Sequence, residues 1–253
     1  MDNFNEVLAK AKSGALDAME QLVTYYREQN DEGNALEWEV HYNATRSATF
    51  ALMSMGISKM GAHGALNIGA WDEVENDWNE IFNHARDILI SVQKGEALLD
   101  SESIASASEM YNDACYGLAL VAYMRDNNYQ RVVEMLNESH NHDTKAKVLL
   151  GLGLFNTGNY EDAYAVLNTI SQDRAYANLE KDALEESLYA AGLHNLSNIY
   201  RIGLPGTVQQ NLDSAVSILN MAISVIRDAE FRKILQDELS HYKKKLFGGY
   251  QYR

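Results

Sequence analysis

The chain is poor in proline and cysteine, with one residue of each among 253. The single cysteine, Cys115, has no second cysteine to pair with, which excludes an intramolecular disulfide and is typical of a protein from a reducing compartment. The sequence also lacks segments in which apolar and polar residues alternate between turn signals, so strands are not expected. These absences favour an all-α protein.

Long apolar runs and basic residues are also missing. No apolar run reaches the roughly 18 residues that a membrane span needs, and residues 1–14 contain no apolar signal core, so we expect a cytoplasmic protein. The chain has 21 Lys and Arg against 36 Asp and Glu, a net charge of −15. This charge repels nucleic acid phosphates and anionic membranes, so neither is an expected partner. A solvated acidic surface is the simplest explanation, and a preference for basic partners is the alternative.

Pairs of short amphipathic helices are what the sequence does contain. The best-formed pair covers residues 145–170, where two helical patterns are joined by a turn at residues 157–159. Gly151 and Ala163 are small residues at the positions where the two helices must touch. A glycine in a helix interior costs about 1 kcal/mol relative to alanine, so the glycine-rich residues 61–64 predict that a helix ending near Met60 breaks there.

The same pattern recurs along one predicted domain, residues 1–253. Ser106 and Glu109 resemble a capping box that opens a helix in the third pair, and Thr144 is the expected cap of the first helix of the fourth pair. The predicted segments are a first helix pair at 1–45, an irregular pair at 46–95, three repeat pairs at 100–140, 144–171 and 179–227, and a final helix at 229–247.

Three of these pairs can be aligned with one another. The matching positions, in three sets, are Ala119, Leu150 and Leu196; Tyr123, Leu154 and Tyr200; and Val132, Ala163 and Ala215. This recurrence resembles the tetratricopeptide repeat, a helix-turn-helix unit of about 34 residues. The last pair is similar to the Sel-like subclass of that superfamily, as found in bacteria, through Leu196, Tyr200, Gly203, Gly206, Val208, Asp213 and Ala215.

The resemblance implies an all-α, right-handed α-solenoid of about five helix pairs with a C-terminal capping helix. It also implies a non-enzymatic adaptor that binds a peptide or partner protein in a concave groove. A ligand-sensing regulatory domain for a small peptide or metabolite is the alternative. The alignment places six polar residues on the groove as candidate partner-binding residues: Arg27, Arg125, Asn156, His194, Asn198 and Arg201.

Sequence features that suggest catalytic or metal chemistry have simpler explanations. His140, His142 and Asp143 lie in a polar turn with no second cluster of ligands, so a solvated connector is favoured over a metal site. Cys115 lies on an apolar helix side with no base in the pattern, which favours core packing over a nucleophile.

The glycines of residues 61–64, with Gly69, do not form a phosphate-binding motif, and a hinge is the better interpretation. Trp71, Trp78 and Phe82 form an aromatic stripe at helical spacing, which is typical of a core. We therefore expect neither an enzyme nor a bound cofactor or metal.

Overall fold

The computed structural model of the chain describes residues 3–139, 143–244 and 249–252, and within them it is mostly helical. This confirms the all-α class. The helices are α1 Phe4–Lys12, α2 Leu16–Glu28, α3 Glu32–Asn67, α4 Trp71–Gln93, α5 Ser101–Met124, α6 Tyr129–Glu138, α7 Thr144–Asn156, α8 Tyr160–Gln172, α9 Arg174–Asn178, α10 Ala183–Ile202, α11 Leu212–Val225 and α12 Ala229–Ser240. Two short strands follow, β1 Tyr242–Lys244 and β2 Tyr250–Tyr252. No helix in the described part of the chain is long and apolar enough to cross a membrane.

The chain divides into two compact units, residues 1–121 and 122–253. The division falls near the C-terminal end of α5. A single domain over 1–253 therefore stays a prediction, and each unit is described by itself.

The first unit is built around α3, a single helix of 36 residues. The predicted break at residues 61–64 is wrong, because the helix continues to Asn67 and the chain turns only at Gly69, with φ +72°. Ala62 and Ala65 are buried on α3, and the free energy of their burial offsets the unfavourable helix propensity of the neighbouring glycines. A methyl group on Gly61 would lie 2.7 Å from a carboxylate oxygen of Asp77 on α4, so a side chain here would displace the Asp77 carboxylate.

Packing inside the first unit holds α2 and α4 against α3. The buried hydroxyl of Thr45 on α3 accepts a hydrogen bond of 2.9 Å from the backbone N–H of Leu98, which ties the loop after α4 to α3. Gly117 of α5 lies directly on the Trp78 ring of α4, where a methyl group would come within 2.4 Å of Nε1. Of the predicted aromatic stripe, Trp78 is buried, whereas Trp71 and Phe82 are only partly buried. The segment before α2 also contains a helix, α1, that the sequence reasoning did not identify.

The second unit contains the helix pairs α7–α8 and α10–α11. The turn between α7 and α8 lies at residues 157–159, as predicted. A methyl group on Gly151 would lie 2.5 Å from Leu167 on α8, which confirms that Gly151 is at a helix contact. The helix α10 packs on α7, α8 and α11, so it is the central helix of this unit.

Helix starts in the structure differ from two sequence expectations. The helix α5 begins at Ser101, where Asp100 accepts a 2.7 Å hydrogen bond from the Ser103 N–H. Ser106 therefore lies inside the helix and opens no capping box. At the start of α7 the cap is Asp143, which accepts from the Ala146 N–H at 2.8 Å, rather than Thr144. Carboxylates are preferred at these positions because they face the positive end of the helix dipole.

The C-terminal segment differs most from the prediction of a capping helix at 229–247, of which residues 245–247 lie outside the described residues. The helix α12 ends at Ser240, and the chain continues as β1, which pairs antiparallel with β2. Tyr242 lies opposite Tyr252 in this hairpin, with the ring centroids 4.9 Å apart. Two short strands are thus present in a chain for which strands were not expected.

Candidate functional site

Three of the six predicted site residues form one cluster on α10. His194, Asn198 and Arg201 follow one another at spacings of four and three, which places them on the same helix face. All three side chains are half-buried. We call this surface the α10 polar face.

His194 is hydrogen-bonded to Glu238 on α12, and the contact is an ion pair when the imidazole is protonated. Its Nε2 atom contacts the Glu238 carboxylate, and both side chains are largely shielded from solvent. The hydrogen bond from His194 lowers the pKa of Glu238, and the positive charges of His194 and Arg201 lower it further. The α10 polar face therefore already binds one carboxylate, which comes from the chain itself.

Asn198 connects His194 to Arg201. The Arg201 guanidinium donates from Nε at 3.2 Å and from Nη2 at 3.0 Å to the Oδ1 atom of Asn198. This fixes the amide orientation, with its nitrogen 3.3 Å from His194 Nε2. Because Nε2 must carry its proton to donate to Glu238, the approach of the Asn198 nitrogen to it is a close contact rather than a second hydrogen bond.

Arg201 has bonding capacity beyond Asn198. A guanidinium has five N–H donors, and the contacts described with Asn198 use two of them. Its Cζ atom lies 4.6 Å from the centroid of the Tyr252 ring, a cation–π contact that orders the plane of the group. A planar donor group held in this way suits bidentate binding of a carboxylate or phosphate.

The C-terminal hairpin forms one wall of the cluster. Tyr242 is buried, and burial raises the pKa of its hydroxyl. Beneath it, the buried Ser197 hydroxyl donates to the Ala215 carbonyl at 2.8 Å, which joins α10 to α11. The Ser197 hydroxyl is therefore used in a hydrogen bond that holds the fold together. His194 is hydrogen-bonded to Glu238 and not to a nucleophile.

The other three predicted residues lie outside this cluster. Arg27 belongs to the first unit and pairs with Glu39 at 2.6 Å on an exposed surface. Arg125 pairs with the adjacent Asp126 at 2.6 Å and lowers the pKa of that carboxyl. Asn156 donates to the Leu152 carbonyl of its own helix at 2.8 Å.

The sequence did not predict three residues that belong to the site: Glu238, Tyr242 and Tyr252. A signal for the hairpin was present, because a Gly-Gly dipeptide separates two short segments that contain tyrosine. The helical pattern of residues 229–240 continues into this segment and hides the signal. Glu238 has no local sequence signal that links it to α10.

The remaining sequence candidates do not form a second site. Cys115 is buried, in agreement with core packing. His140 and His142 lie outside the described residues. Among residues that the structure describes, no group of three His, Cys, Asp or Glu side chains is arranged to hold a metal ion.

Comparison of the chain with protein-family models, with curated proteins and with solved structures found no match, so the geometry of the α10 polar face is the basis for a functional assignment.

Proposed function

We propose that this chain is a non-enzymatic protein-interaction module that binds an acidic peptide segment of a partner protein on the α10 polar face. Arg201 donates to the peptide carboxylate. Asn198 completes the binding face by orienting the Arg201 guanidinium, and His194 completes it by holding Glu238. Their role is recognition of a carboxylate, and no bond is made or broken.

The proposal includes an α-solenoid arrangement of the helix pairs. In the second unit, α6 packs on α7, α7 on α8, and α10 on α11, while α7 also contacts α10. Contacts between sequential helices and between neighbouring pairs are what a helical repeat requires, since one pair cannot bury its apolar face alone. This supports an assignment of α7–α8 and α10–α11 as tetratricopeptide-like, Sel-like repeats.

The observation that carries the proposal is the Glu238 carboxylate held by His194, with Arg201 close enough to stabilise its charge. The Arg201 N–H groups other than the two that donate to Asn198 would donate to a second, external carboxylate. Residues 122–253 contain 16 Asp and Glu against 14 Lys and Arg, so the unit as a whole repels an acidic peptide only weakly.

Fluorescence anisotropy with peptides chosen from an acidic peptide array tests this proposal. We expect the wild-type chain to bind peptides with neighbouring Asp or Glu residues, and to bind the Asn and Gln versions at least about tenfold more weakly. Arg201→Ala should weaken binding about tenfold or more. Arg125→Ala is the matched control, because it removes a predicted basic residue outside the cluster and should leave affinity unchanged.

Two results would contradict the proposal. The first is an array in which no acidic peptide binds the wild-type chain in preference to its amide version. The second is equal loss of affinity in Arg201→Ala and Arg125→Ala, which would indicate only a nonspecific charge effect.

A further inference from the structure

The outer face of α3 carries a row of large apolar side chains that are exposed. The row consists of Leu36, Val40, Phe50, Met53, Ile57, Met60 and Ile68, each between 56% and 79% exposed. Residues 50, 53, 57 and 60 follow spacings of three, four and three, the spacing of a helix-packing seam. We call this row the α3 outer stripe.

The opposite face of the same helix is already packed. Trp38, Ala48, Met55 and Ala62 are buried on it, against the other helices of the first unit. A helix that is apolar on both faces is ordinarily buried on both. The α3 outer stripe therefore has the composition of a buried face while it is open to solvent in the single chain.

Charge distinguishes this surface from the rest of the molecule. The chain has 36 acidic residues among 253, about one in seven, yet residues 40–71 contain none. The nearest described carboxylates on α4, those of Asp77 and Glu80, lie along one edge of α3 beside Gly61 and Ser54. Within residues 40–71 the Lys and Arg side chains are Arg46, whose guanidinium lies over Phe50, and Lys59, which pairs with Asp113 at 2.5 Å. Glu37 and Glu39 lie beside Leu36 and Val40, at the N-terminal end of the stripe.

Two glycines on α3 indicate independently that another helix could pack closely against it. A methyl group on Gly56 or Gly64 would meet no atom of the described chain within 4 Å. Gly64 is exposed and Gly56 partly exposed, and each lowers the helix propensity of α3 relative to alanine without a compensating contact among the described residues. Glycines on a helix surface allow another helix to approach closely.

We propose that the α3 outer stripe is a homodimer interface, covered by the same stripe of a second copy of this chain in antiparallel orientation. Two chains of charge −15 repel each other, and residues 40–71, which carry six of the seven stripe residues, contribute no carboxylate from either copy. A basic partner would instead be drawn to carboxylates, which residues 40–71 lack. The seven apolar side chains expose roughly 800 Å² per copy, about the area that each partner buries in a standard specific interface.

The stripe is also complementary to itself. A two-fold axis that crosses α3 at Leu52 places Leu36 opposite Ile68 of the second copy. It places Val40 opposite Gly64 of that copy, and Ile57 opposite the exposed Ser47. Large side chains thus meet apolar or small partners along the whole 36-residue helix, as an isologous interface requires.

Sedimentation equilibrium of the full chain tests the proposal. The wild type should be a dimer at micromolar concentration, and Ile57→Glu should weaken dimerisation at least about 100-fold because a carboxylate would be buried twice at the interface. Ile234→Glu is the control, because Ile234 is 59% exposed on α12 and the change in charge is identical. Higher salt should tighten the wild-type dimer, since it screens the repulsion between the two chains.

Cysteine crosslinking tests the orientation. In a Cys115→Ser background, Met53→Cys lies next to the proposed axis and should form an intermolecular disulfide under mild oxidation, whereas Leu36→Cys should not. Far-UV circular dichroism checks that each variant retains its helices.

Three outcomes would overturn the proposal: a monomeric wild type, a dimer that persists in Ile57→Glu, or equal crosslinking of both cysteine variants. A wild type that stays monomeric but binds lipid vesicles through Ile57 would assign the stripe to a membrane surface instead. None of these results depends on peptide binding by the α10 polar face.

Discussion

Glu238 on α12 is bound to His194 on α10, a residue 44 positions earlier in the chain. The pair fastens the last helix of the second unit to its central helix. It also places a carboxylate against the α10 polar face.

Glu238→Gln should lower stability at neutral pH by about 1 kcal/mol, because it removes the charge from a largely shielded hydrogen bond. The pKa of Glu238 is lowered in the folded chain, so its stabilisation is present above the ordinary value of 4.5 and is lost as pH falls through the lowered value. The difference in unfolding free energy between wild type and variant should therefore be complete at pH 7 and decrease below pH 4.5. Urea denaturation across this pH range measures it.

Glu6→Gln is the control for that experiment, since Glu6 pairs with Lys10 on an exposed surface. Such pairs contribute little to stability, so its denaturation midpoint should match that of the wild type. A pH-independent difference for Glu238→Gln would show that His194 does not hold the charged carboxylate.

Arg227→Ala should destabilise the second unit by about 2–3 kcal/mol, because it leaves the buried Glu186 carboxylate without its cationic partner. Arg227 also donates to the Lys181 carbonyl at 2.6 Å. Glu186→Gln should cost less, since the Arg227 side chain is mostly exposed and remains hydrated. Thermal unfolding of both variants compares them, and equal losses would contradict the asymmetry.

Gly151→Ala should destabilise the chain by about 1–3 kcal/mol, because the new methyl group meets the buried Leu167. Gly33→Ala is the matched control: its methyl group would lie 3.7 Å from the nearest side-chain atom, at ordinary contact distance. That variant should gain up to about 1 kcal/mol from helix propensity. Guanidinium denaturation gives both values, and the same sign for both variants would rule out the proposed packing.

The contact of Arg201 with Tyr252 should have a coupling energy of about 0.5–1 kcal/mol. A double-mutant cycle with Arg201→Ala, Tyr252→Ala and the combined variant measures it. Additive effects would mean that the hairpin is held to α10 by other contacts.

The parts of the fold that the sequence predicts well are those in which local pattern and packing agree. Residues 145–170 have a helical period on both sides of a glycine turn, and Gly151 is small because Leu167 occupies the space beside it. The unbroken α3 could not be predicted, because the glycine cost is local and visible while the opposing burial of Ala62 and Ala65 comes from neighbouring helices.

The candidate site was predictable only along one helix. The spacing of His194, Asn198 and Arg201 places them on one face whatever the rest of the chain does. Glu238 and Tyr252 reach that face through tertiary packing of α12 and the hairpin, for which periodicity has no signal. Asn156 was placed on the groove by alignment, yet its amide bonds to the nearby Leu152 carbonyl of its own helix.

Because α3 is one uninterrupted helix, insertions and deletions within it should be poorly tolerated. Inserting or deleting one residue between Thr45 and Ala62 would rotate one end of the helix by about 100° relative to the other. The contacts with α2 and with α4 could then not form together. Insertions should instead be tolerated in the exposed part of the loop between α10 and α11, around Pro205 and Gly206, where no continuous helix transmits the shift.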